Sequence, residues 1–210
     1  MQIAIDGPAG AGKTSVARAL AKHFGCLLVN TGAMYRAVAL GLCQGLKLSE
    51  MKIEVCLDEH VLLNGTDVTS QLYTPHIDEL ASQTAARSEV REFLIAQQRV
   101  LAHNVVMEGR DIGTVVLPNA DAKLYLDASA EERARRRCEE RHTTESYEEV
   151  LAKMRARDAR DGQGFGRLKI SSDTIVIRTD GRSLDDVIAE AIQAVRAALQ
   201  TQEASGTLNG

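Results

Sequence analysis

The chain has 210 residues, 44% of them hydrophobic, 3% aromatic and none tryptophan. That suffices for one α/β domain with an aliphatic core and small insertions, and excludes two large independent domains. The formal charge of −4 argues against nucleic acid as the main partner, since duplex binding leans on a basic face.

From the N-terminus, residues 2–6 read as an Ile-rich strand, followed by Gly7-Pro8-Ala9-Gly10-Ala11-Gly12-Lys13-Thr14. A helix is predicted from Thr14 to Phe24, with Val16, Ala17, Leu20 and Ala21 at helical spacing and Gly25 as its stop. Residues 26–29, CLLV, are a second buried strand. Strand, glycine loop, helix and strand in that order open a parallel α/β sheet. Residues 30–45 continue as a helix. Residues 51–72 then alternate short apolar runs around the turn Asn64-Gly65, the pattern of a small antiparallel insertion. Thr74-Pro75 starts a helical stretch that breaks near Ser88. Strands follow at 104–108 and 121–129, then a charge-dense stretch at 131–161, a last strand at 173–179, and a helix opened by Ser183 and Asp186 as a capping box. Residues 200–210 are small and polar and are expected to fray.

No stretch approaches the ~18 apolar residues of a membrane span, and MQIAIDGP lacks a basic leader region. Cys26, Cys43, Cys56 and Cys138 form no paired or zinc-type spacing. The expectation is a cytoplasmic protein with free thiols.

Gly-x-x-x-x-Gly-Lys-Thr after a strand and before a helix is a phosphate cradle: glycines let backbone N–H groups converge on phosphate oxygens, and the helix adds its positive end. Lys13 would reach the β- and γ-phosphates of a nucleoside triphosphate, and Thr14 would offer its hydroxyl to Mg²⁺. Switches, motors and kinases share such a loop. A guanine-reading Asn-Lys-x-Asp is absent, and Glu108-Gly109-Arg110-Asp111 is a weak match to a motor's acidic strand end. A kinase needs an acceptor site. A phosphate acceptor, with a second pKa near ~6, is already a nucleophile and needs cations rather than a base. Arg36, Arg91 and Arg110 stand at element ends, and Arg133, Arg136, Arg137, Arg141, Arg155, Arg157 and Arg160 crowd the later helical stretch. That crowd reads either as a solvated helix laced with i,i+4 pairs or as a lid that closes over the transfer.

Taken in order, IDGPAGAGKTS, NTGAMYRA, NGTDVTS, ASQTAARSEVREFLIAQQR, EGRDIGTVVLPNADAKLYLDAS, EERARRR and RARDARD resemble bacterial-type cytidylate kinases, a family of P-loop nucleoside monophosphate kinases. The resemblance runs from residue 2 to about residue 199. It implies an α/β fold: a P-loop kinase core over 1–30, 104–128 and 162–200, with a five-stranded parallel sheet flanked by helices. It also implies a monophosphate-binding insertion at 31–103, an arginine-rich lid at 129–161 and a flexible tail at 201–210. The implied reaction moves the γ-phosphoryl of ATP to CMP or dCMP with Mg²⁺, and nothing in the sequence demands more than a monomer.

Residue by residue, the resemblance implies that Gly7, Pro8, Ala9, Gly10, Ala11, Gly12, Lys13, Thr14 and Ser15 bind ATP, with Thr14 also on the metal. Thr31, where the family often has Ser, sits with Tyr35 and Arg36 at the acceptor's phosphate. Ser82, Arg91 and Asp111 read cytosine, Arg110 grips the acceptor phosphate, and Arg157 and Asp161 hold the sugar. Lys13, Arg110, Arg137 and Arg157 stabilise charge on the group in flight. A carboxylate suits cytosine's exocyclic amine and would oppose the carbonyl of uracil. The chain departs from the family pattern at Gly164, where an arginine is expected, and lacks the proline that follows. Either the subgroup has drifted at this position without consequence, or the ribose contact is weakened and passes to Arg167; the second reading bears on CMP against dCMP and not on the reaction.

Overall fold

The structure, a computed structural model, describes residues 1–141, 145–163 and 170–206, with side chains described at 1–139, 145–159 and 170–201. Five strands, β1 (Gln2–Asp6), β2 (Leu27–Asn30), β6 (Val105–Glu108), β7 (Ala122–Asp127) and β8 (Ile175–Arg178), form one sheet. Its order is β2-β6-β1-β7-β8 and every pairing is parallel. The short runs of Ile, Val and Leu are continuous because a parallel sheet is covered on both faces. Alternation still sorts them. Ile3 and Ile5 pack with α1 (Lys13–Phe24) and α7 (Leu184–Gly206), while Ala4 faces the opposite layer with α2 (Thr31–Cys43).

The insertion is a three-stranded antiparallel sheet of β3 (Ile53–Val55), β4 (Val61–Leu63) and β5 (Thr66–Asp67). Asn64 and Gly65 turn between the last two with φ of 51° and 80°, the double positive φ of a tight hairpin turn. Ile53, Val61, Leu63 and Leu72 join the same apolar cluster as Ala37, Val38 and Val29, so the insertion shares the main core. Two helices follow, α3 (Pro75–Thr84) and α4 (Ser88–Val100), separated near Ser88 as expected. Thr74 caps α3 by accepting from the Ile77 N–H at 3.3 Å, with Pro75 at the first position.

After β7 the chain makes a helical hairpin, α5 (Ala130–Arg141) and α6 (Tyr147–Gln163). It has a small core of its own in Ala134, Val150 and Met154. Ser183 caps α7 through its hydroxyl, which accepts from the Asp186 N–H at 3.1 Å and donates to the Asp186 carboxylate at 2.6 Å. Helix α7 continues to Gly206, beyond the point where the sequence was expected to fray; Gln, Glu and Ala in its last turns are good helix formers. Residues 207–210 lie outside the described residues. Among the described residues no helix is long and apolar enough to cross a membrane, and the four cysteines are free.

Candidate active site

The sheet topology places a cleft at the carboxyl ends of the strands, where the chain passes from β1 to β2 on one side and from β6 across β1 to β7 on the other. Residues 7–12 turn from β1 into α1. Gly7 has φ of 146°, and a Cβ there would lie 2.2 Å from the Leu126 carbonyl oxygen of β7. Only glycine fits, because the loop is pressed against the neighbouring strand. Gly12, with φ of 89°, starts the helix in a left-handed conformation.

The cleft has a volume of about 760 Å³. Of the expected triphosphate-binding residues, Ala9, Gly10, Lys13 and Thr14 line it. Gly7, Pro8 and Ala11 are buried behind them, and Gly12 and Ser15 are partly buried. Lys13 folds back to donate to the Pro8 carbonyl at 2.8 Å. Burial, with the Arg110 charge beside it, pushes its ammonium down to about 7. Thr14 donates to Glu108 Oε1 at 2.6 Å. Glu108 closes β6 next to β1, its carboxylate reaching into the cleft. Its strand-end position was the signal in the sequence, discounted there because the residues after it are not those of a motor.

The acceptor-side residues gather in the same cleft. Thr31, Tyr35, Arg36, Ser82, Arg91, Arg110, Asp111, Arg137 and Arg157 all line it. Asn30 caps α2 by accepting from the Ala33 N–H at 3.0 Å, which sets Thr31 and Arg36 on the cleft side of the first turns. The Thr31 hydroxyl donates to the Glu108 carbonyl at 2.8 Å, joining the ends of β2 and β6. Arg36 donates through Nε to Asp78 at 2.7 Å and lies 5.2 Å from the Tyr73 ring centre. Arg91 donates to Asp111 in a short, largely buried ion pair. Burial pushes the Tyr35 phenol, beside that pair, up to about 12. Arg110 donates to the Gly7 carbonyl at 2.7 Å, linking the acceptor side to the phosphate loop.

Asp111 opens a π-helical turn, Ile112–Val116, anchored from below by Asp6. The Asp6 carboxylate accepts from the Ile112 and Gly113 N–H groups, each at 2.8 Å. Burial raises its pKa to about 6 despite those two bonds. Arg99 of α4 donates to the Val115 carbonyl at 2.8 Å, binding the helix that carries Arg91 to the turn that carries Asp111. Nothing in the sequence alone singled out Asp6, Arg99 or Asp78.

The arginine crowd divides into two sets. Arg137 and Arg157 face the cleft. Arg135 and Arg155 pair with Glu132, Glu139 and Glu131 along the hairpin surface, whereas Arg136 pairs with Glu132 and also donates to the Thr179 hydroxyl, just after β8, at 3.0 Å. Arg133 is a third case: buried, it donates to both Asp158 oxygens, at 3.1 and 2.6 Å, and to the Ala9 carbonyl at 3.2 Å, clasping the hairpin to the phosphate loop. Asp161 falls within α6, but its side chain, like Gly164 and Arg167, lies outside the described residues.

Seven basic side chains thus line the cleft against three carboxylates among the described residues, the reverse of the chain's acidic balance. Such a site attracts polyanions, and within it Arg91 pairs with Asp111 and Arg36 with Asp78.

The sequence matches the family described as "Cytidylate kinase" over residues 3–197. A cytidylate kinase from Caldanaerobacter subterraneus subsp. tengcongensis is 44% identical over 212 residues, spanning 93% of this chain and 95% of that protein. One from Rhodopirellula baltica is 40% identical, spanning 98% and 96%. In fold alone, the chain is similar to the crystal structure of a gluconokinase from Sinorhizobium meliloti 1021, with a TM-score of 0.57 at 15% identity over 97% and 96% of the two chains.

Proposed function

Since this chain belongs to the cytidylate kinase family and is a nucleoside monophosphate kinase, we propose how its cleft carries out transfer from ATP to CMP or dCMP. The donor triphosphate lies along residues 7–15, its charge met by the backbone N–H groups, the start of α1 and Lys13. The cytosine monophosphate lies opposite, with its base toward Asp111, Arg91 and Ser82 and its phosphate toward Arg36 and Arg110. An acceptor phosphate oxygen attacks the γ-phosphorus in line as the bond to the β-phosphate oxygen breaks. No side chain needs to remove a proton, because the acceptor is already an anion. Lys13, Arg110, Arg137 and Arg157 meet the charge that spreads over the transferring oxygens.

The oxygen donors present fit Mg²⁺. The Thr14 hydroxyl and the Glu108 carboxylate stand together, and no cluster of three or more His, Cys, Asp or Glu forms a cage among the described residues. An ion that keeps several waters and shares substrate phosphates suits that set. Thr14 and Glu108 would hold the ion, which would supply positive charge against the donor phosphates.

The observation that carries this reading is the Asp111–Arg91 pair facing the same cleft as Lys13 and Thr14. The test is diphosphate formation from ATP and Mg²⁺ with CMP, dCMP, UMP, AMP and GMP in turn. CMP or dCMP should react far faster than the others, and the ratio between these two reports what Gly164 costs. Equal rates with all five, or none with any, would reject the reading.

A further inference from the structure

Asp78 stands in the first turn of α3 with 11% of its side chain exposed, between two arginines from distant parts of the chain. Its Oδ1 accepts from Arg36 Nε at 2.7 Å, and its Oδ2 lies 3.7 Å from the Arg137 guanidinium. Arg36 comes from α2, beside the phosphate end of the cleft; Arg137 comes from the helical hairpin. Asp78 engages the Nε edge of Arg36. The other edge points toward the end of β2: a Cβ on Gly32 would meet Arg36 NH1 at 3.1 Å. The Tyr73 ring, 5.2 Å away, covers the guanidinium face. A guanidinium is a rigid fork of five donors, so a carboxylate on one edge fixes where the remaining donors point. Asp78 is also four residues before Ser82, on the same face of α3. One helix therefore carries the phosphate-side carboxylate and a base-side hydroxyl.

We propose that Asp78 is a positioning residue for the acceptor phosphate, aiming the outer edge of Arg36 into the cleft and tethering Arg137 so that the hairpin arginine comes to the place where the acceptor binds. The inference rests on the reading of Arg36 and Arg137 as phosphate-binding residues. It separates two roles for one carboxylate: Oδ1 serves acceptor affinity through Arg36, and Oδ2 serves the transfer step through Arg137.

Steady-state kinetics at saturating ATP test it. Asp78→Ala should raise KM for CMP about tenfold, the scale of one lost charge-assisted hydrogen bond. It should also lower kcat, with KM for ATP unchanged. Asp78→Asn keeps one acceptor for Arg36 and removes the charge that tethers Arg137. It should return KM for CMP toward wild type while kcat stays low. In an Arg36→Ala background, Asp78→Ala should cost no further CMP affinity, because the contact it acts through is gone. Wild-type KM and kcat in Asp78→Ala, a fall in KM for CMP, or an equal rise in KM for ATP would each overturn the inference. If Asp78→Ala does not fold, wild-type kcat in Asp78→Asn overturns it. Failure of the wild-type protein to phosphorylate CMP would instead overturn the underlying reading.

Discussion

Asp111 and Arg91 hold each other in a buried pair, which leaves the carboxylate's remaining acceptor capacity facing the cleft. On the proposed reading a cytosine amine would use that capacity and a uracil carbonyl would oppose it, and a buried polar group without a partner is costly. Asp111→Ala should therefore lower the ratio of kcat/KM for CMP to that for UMP by roughly a hundredfold, with KM for ATP little changed. Asp6 supplies a pH prediction. Its carboxyl, buried under the π-helical turn, should titrate with a midpoint of about 6 by carbon-13 NMR, above the ordinary 3.8. Between those values the folded protein keeps a proton that the unfolded chain has lost. This group therefore makes the fold less stable as pH rises from 3.8 toward about 6, and its full cost is present above that.

The elements matter for how they meet at their ends. The phosphate loop is shaped by β7 as much as by its own glycines, since Gly7 lies directly on the Leu126 carbonyl. Gly7→Ala should destabilise the protein by about 3 kcal/mol or more, from overpacking combined with a positive φ, measurable by denaturant unfolding. The hairpin α5–α6 offers a paired comparison. Arg133 is buried and reaches Asp158 and Ala9, so Arg133→Ala should cost about 3 kcal/mol, in line with breaking a buried pair. Arg135 makes two ion pairs on the same helix, but its guanidinium is exposed, and Arg135→Ala should leave the melting midpoint nearly where it is.

At the scale of the molecule, apolar packing divides the chain differently from the excursions read along the sequence. The 31–103 excursion shares one cluster with the sheet. The hairpin keeps its own small cluster and meets the phosphate loop where Gly10 packs against Arg133 and Met154. A segment with few shared apolar contacts opens at low cost. We therefore expect closure to fall mainly on the hairpin. A dye pair reporting α6 against α7 should shorten on adding CMP with a non-hydrolysable ATP analogue, more than a pair reporting β4 against α7.

Much of this protein was legible in residue order because its signals are local. The phosphate loop needs a strand before it and a helix after it, and both are written next to it. The Asn64-Gly65 turn, the Thr74-Pro75 start and the Ser183 cap each depend on neighbours within a few residues. The cytidylate kinase likeness likewise lay in short contiguous motifs. Contacts between residues distant in sequence were not legible. Nothing in the string joins Thr14 to Glu108, 94 residues on, or Asp6 to the amides of Ile112 and Gly113. Nor could composition sort Arg137 and Arg157 from Arg135 and Arg155, because a charged helix looks alike on every face until packing turns one toward the cleft. Local order encodes propensity and loop chemistry. Which carboxylate meets which cation follows from strand order and helix rotation, and these are set when the sheet assembles and its two faces are covered.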